Sequence, residues 1–81
     1  MEHIKTVKFC DANSILVINT KGKMRKLFTP FKVQCIVEIG RFKMGSIVYV
    51  EEVTAGDKDE LIYLIGEGAY FHKHFRITAN F

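Results

Sequence analysis

Tryptophan is absent from this chain, proline occurs once (Pro30), cysteine occurs twice (Cys10 and Cys35), and no apolar run is long. Each shortage excludes something. With one proline, no low-complexity stretch and no repeat, there is no evident linker between domains. Two cysteines set singly in strand-like segments are not the dense framework of a secreted mini-protein, so both are expected as free thiols. Residues 15–18 form an apolar run of four, against the roughly 18 to 20 residues of a membrane span, so the chain is expected to stay out of the membrane. Its first 19 residues mix charged with apolar side chains and offer no small-residue cleavage site. That is not the pattern of a signal peptide, and a cytoplasmic location is the expectation.

What is present is a chain of 81 residues, 48% hydrophobic, with seven Phe and three Tyr. This is enough for one packed domain, residues 1–81, and argues against disorder. A domain this short buries only about 60 to 65% of its unfolded surface, so its core is thin and its stability modest. A catalytic cleft would have to be cut from that same core, which points to a binding protein rather than an enzyme, with no catalytic residue, metal or cofactor assigned. The net charge of +3 hides an asymmetry: residues 1–43 hold nine Lys/Arg against three Asp/Glu, and residues 44–81 hold three against six. Such a split fits either a basic face aimed at an anionic partner or two halves that attract each other.

Along the chain, short apolar or alternating runs are closed by Gly, Asn, Asp or Lys clusters, which is how strands and their turns read. Strands are expected over residues 6–9, 14–19 and 24–28, with Thr29-Pro30 as a break between subregions. From Lys32 the alternation places Val33, Cys35, Val37 and Ile39 on a core face. In residues 46–53 the doubled glutamate breaks the period, and a bulge at Glu51-Glu52 would keep Val48, Val50 and Val53 on one side. Residues 61–65 are apolar on both faces and should be a central strand. Gly66-Glu67-Gly68 turns the chain, and residues 69–81 have room for one helical turn at 71–75 and a last short strand. The sum is an all-β rolled sheet or small barrel.

The segment Phe42-Lys43-Met44-Gly45-Ser46-Ile47-Val48-Tyr49-Val50, then Leu61-Ile62-Tyr63-Leu64-Ile65, then Tyr70-Phe71-His72-Lys73-His74-Phe75-Arg76-Ile77, resembles in layout the small SH3-like barrels common among uncharacterised bacterial and phage reading frames. The resemblance covers residues 32–77 and implies an SH3-like barrel (a rolled antiparallel sheet with one single-turn helix near its C-terminus), to which residues 1–31 add a β-hairpin extension. It also implies a non-catalytic module, an adaptor or inhibitor, that binds protein or nucleic acid. The chain departs from peptide-binding SH3 domains in having no tryptophan and a basic loop at Arg41 to Lys43, which removes the usual grip on proline-rich ligands.

Lys21, Lys23 and Arg25 alternate so that all three could share one hairpin face, with Lys26, Arg41 and Lys43 in the same basic half and Phe28 and Phe42 nearby. As a functional surface this set would track phosphates and stack bases, or meet an acidic protein; as structure alone it is a solvated hairpin whose lysines discourage edge pairing. His72 and His74, with Cys10 or Cys35, are the residues a zinc site would use, but paired ligand spacing is missing. Cys35 falls on the expected core face as a small hydrophobe. Asp57, Asp59 and Glu60 lack the calcium-loop pattern. The expected partner is therefore another protein, engaged through an edge strand, the loop at 41–43 or the basic hairpin. Nucleic acid is the alternative, a second copy paired at an open barrel edge is a further candidate, and an enzyme or metal-binding protein centred on His72, His74 and a cysteine comes last.

Overall fold

A computed structural model describes residues 4–78, the side chain of Asp59 apart. The strands are β1 (Ile4–Asp11), β2 (Ser14–Asn19), β3 (Met24–Phe28), β4 (Phe31–Cys35), β5 (Ile47–Val50), β6 (Glu52–Ala55), β7 (Leu61–Ile65), β8 (Gly68–Phe71) and β9 (Phe75–Ile77), with single 3-10 turns at Asp57–Asp59 and His72–His74. They form three antiparallel sheets of three strands, in the orders β1-β2-β3, β5-β4-β9 and β6-β7-β8. The fold is all-β, and none of the three sheets closes into a barrel. No helix among the described residues is long and apolar enough to cross a membrane.

The first sheet is built around β2, whose Ile15 and Val17 point inward and are fully buried. Two side chains shape its turns. Asp11 Oδ1 accepts the Asn13 amide at 2.8 Å and the Ser14 hydroxyl at 2.9 Å, and these bonds, the Asn13 amide foremost, hold the Asp11 carboxyl below its usual range. Asn19, fully buried, accepts the amides of Lys21 at 3.0 Å and Lys23 at 2.9 Å on its own Oδ1, while Gly22 takes the left-handed φ of 83° that a side chain would resist. The hairpin does not stand apart from the rest. The Val53 amide donates to the Ala12 carbonyl at 2.9 Å, the Thr29 amide to Asn13 at 2.9 Å, and Ile15 and Val17 join the same apolar cluster as Val33, Val53 and Tyr63.

β5 and β6 are one run of chain interrupted only at Glu51, whose amide donates to the Leu64 carbonyl at 2.9 Å. That single residue breaks the alternation, so Val50 and Val53 are both buried although three positions apart, and the two halves of the run serve two different sheets. Central β7 supplies Leu61, Tyr63 and Ile65 to the core. The Tyr63 ring meets Phe31 edge-on at 5.5 Å, Phe75 at 5.9 Å and His72 at 6.3 Å.

One expectation needs correction. The core face drawn through Val33, Cys35, Val37 and Ile39 holds for Val33 and Cys35, but β4 ends at Cys35, Val37 is 40% exposed and Ile39 half-buried. The reason is the lack of a ladder beyond that point. Cys35 exchanges its last bonds with Ser46 and Gly45, Ile36 donates to His74, and neither β5 nor β9 reaches further. Alternation in sequence makes a strand only where a neighbour supplies hydrogen-bond partners.

Candidate functional site

The structure divides the expected basic surface in two. Lys21 and Lys23 lie in the β2–β3 turn, and Arg25 opposes Val17 on the inner side of the first sheet. All three of Lys21, Lys23 and Arg25 are exposed, and the Lys23 carbonyl accepts the Asn19 amide at 3.0 Å, just ahead of the first β3 residue, Met24. Lys26 and Phe28 lie instead on the outer side, with the Lys26 Nζ 5.4 Å from the Phe28 ring centre. Across this outer face the register gives three rows: Thr6, Ile18 and Met24; then Lys8, Leu16 and Lys26; then Asp11, Ser14 and Phe28. Met24 and Phe28 are 66% and 65% exposed.

Arg41, Phe42 and Lys43 sit in the loop between β4 and β5, outside the first sheet. Ile39 and Phe42 exchange backbone hydrogen bonds at 3.0 and 2.9 Å around a tight turn at Gly40-Arg41, with Gly40 at a φ of 58°. Phe42 is therefore not a free stacking ring. It is half-buried and lies 5.5 Å from Tyr70, which lies 6.1 Å from Phe75, so an aromatic chain runs from the Tyr63 core out to this loop. Lys43 is exposed.

Beside the loop lies an open groove of about 570 Å³, walled by Phe42, Val48, Tyr49 and Tyr70 and rimmed by Arg41, Glu51 and Glu67. Of these, Arg41 and Phe42 are candidates from sequence and the others are not. Tyr49 was legible as the outward aromatic of its strand, opposite Lys32; Glu67 and Tyr70 come from a separate hairpin and gave no local signal. Two glycines make room for the Tyr70 ring. A Cβ on Gly40 would come within 3.2 Å of it, and one on Gly68 within 2.5 Å. Gly68→Ala is accordingly expected to push Tyr70 off Phe42 and to cost about 1–3 kcal/mol through overpacking. A thermal melt, with amide shifts confined first to residues around 40–42 and 66–70, checks this.

Of the remaining candidates, His72 and Cys35 have structural surroundings that account for them. His72 Nδ1 lies 3.2 Å from both the amide and the carbonyl of Leu61 and bonds one or the other according to its tautomer, patching the ladder where β8 gives way to the 3-10 turn. Cys35 is buried, and burial pushes its thiol pKa up, the opposite of what a thiolate nucleophile needs. Cys10 is exposed on β1. Among the described residues no three His, Cys, Asp or Glu side chains gather as a metal site would require. Compared with protein-family models, with characterised proteins and with solved structures, the chain matches none.

Proposed function

We propose that this chain is a non-catalytic protein-binding module with an SH3-like layout, and that it holds an extended peptide in the groove beside β5. Support for the layout comes from connectivity. β4 and β5 are joined by a long loop, β5 continues into β6 through a bend, β7 and β8 are joined by a tight turn, and one 3-10 turn precedes β9. This is the order of parts implied by the resemblance of residues 32–77, and by analogy such folds serve as binding modules.

The observation that carries the reading is the groove itself. Its aromatic walls run alongside β5, an edge strand of its sheet. Extended peptides bind such edges by adding a strand whose backbone supplies affinity and whose alternate side chains enter adjoining pockets. Phe42 and Tyr70 are held by the core behind them, whereas Tyr49, 57% exposed, is free to close on a ligand at little structural cost.

Selection from a random peptide library against the folded protein tests this. Selected peptides should bind the wild type and lose about 30-fold in affinity against Tyr49→Ala, the size of an aromatic hot spot of about 2 kcal/mol. Equal binding to both proteins, or no selected peptide, would overturn the reading.

A further inference from the structure

The outer face of the first sheet is a different surface with a different charge. Residues 4–28 carry six Lys/Arg and one acidic side chain, and that one, Asp11, is tied into its turn by the bonds to Asn13 and Ser14. Nothing comparable holds for the rest of the described chain, where acidic residues slightly outnumber basic ones. Of the six, the register places Lys8 and Lys26 on the outer face and Arg25 on the inner one, which Ile15 and Val17 commit to the core.

The three rows of the outer face set the chemistry. Leu16 sits between Lys8 and Lys26, Ile18 is beside Met24, and Phe28 closes one end. Leu16 therefore has one ammonium group on either side, and Lys26 also stands between Met24 and Phe28 along β3. Rows two residues apart along a strand are about 7 Å apart and neighbouring strands about 4.8 Å apart. The face is then about 14 Å long and 10 Å wide, the footprint of two to three turns of a helix. We infer that this face is a second docking surface, and that its occupant is an acidic amphipathic helix of a protein partner.

Apolar side chains at helical i, i+3, i+4 and i+7 spacing would cover Leu16, Ile18, Met24 and Phe28, and carboxylates flanking that stripe would reach Lys8 and Lys26. Single-stranded nucleic acid fits less well. It wants several ring faces, whereas this face offers one exposed ring, already overlain by Lys26, and three aliphatic side chains on which a base does not stack.

The test is fluorescence anisotropy with three labelled probes: a helical peptide of Leu and Glu with Leu on one face, its Leu and Lys counterpart, and a mixed-sequence single-stranded oligonucleotide. The Leu/Glu peptide should bind, and binding should fall about tenfold or more in Lys8→Glu/Lys26→Glu and again in Phe28→Ala, a position too exposed for its loss to unfold the sheet. Tyr49→Ala should leave this binding unchanged, which separates the surface from the groove. Equal binding of the Leu/Lys peptide, or tighter binding of the oligonucleotide than of the Leu/Glu peptide, would overturn the inference. So would Leu/Glu binding that survives both Lys8→Glu/Lys26→Glu and Phe28→Ala.

Discussion

Tyr63→Ala is expected to lower the melting temperature by about 15 to 30 °C. Tyr63 is 1% exposed at the middle of central β7, and its ring meets Phe31, Phe75 and His72 together. Truncating a buried aromatic side chain removes its transfer free energy and leaves a cavity that neighbours fill only partly, a loss of about 3–5 kcal/mol. In a domain of this size each kcal/mol moves the midpoint by about 4–8 °C, and a total stability near 0.05–0.15 kcal/mol per residue leaves little after such a loss. Tyr49→Ala is the matched control. It removes the same side chain from an exposed position and should shift the midpoint hardly at all. Equal melting temperatures for the two variants would mean that the core is not organised around Tyr63.

The second large effect is expected at Asn19. Asn19→Ala deletes the oxygen that accepts both Lys21 and Lys23 amides and empties a site with no solvent exposure. Backbone donors left without an acceptor cost about 1–3 kcal/mol, so a destabilisation of about 2 kcal/mol is expected. Its distribution is the sharper signature. Because this turn sets the β2–β3 register, and with it which side Lys26 and Phe28 occupy, amide exchange should accelerate over residues 14–28 before it does in β7. Lys21→Ala, which leaves the backbone amide in place, should stay within about 0.5 kcal/mol of wild type. Uniform acceleration across all three sheets would show that the turn has no local role.

Much of the fold was legible because its punctuation is local. β2, β3 and β7 match their expected limits residue for residue; β2 and β7 are apolar runs closed by Asn19 and Gly66, and β3 is bounded by Gly22 before it and Pro30 after it. The break at the doubled glutamate, the turn at Gly66-Glu67 and the helical turn near His72 were readable for the same reason. β1 runs longer than expected, from Ile4 to Asp11, with irregularities that pattern counting does not foresee. Another departure has a plain cause: Val37 and Ile39 continue a period beyond the last strand partner. The groove could not be read ahead of the fold, because its walls come from the β4–β5 loop, β5 and the β7–β8 hairpin. No window of sequence contains all three. The outer face of the first sheet is closer to legible: its lysines stand out in the sequence, but which of them share a side depends on pairing partners.

The junction at Glu51 can also be considered as a matter of parity. Val50 and Val53 are both buried at a separation of three, an odd number in a strand whose sides alternate with a period of two. That odd count is what lets one uninterrupted run leave one sheet and enter another. A separation of two or four would restore strict alternation and let the run continue straight within a single sheet. Loops elsewhere, such as residues 36–46, can gain or lose a residue at small entropic cost. Between Val50 and Val53 the number of residues is itself part of the architecture, while the identity of the side chain at 51 bears on the rim of the groove.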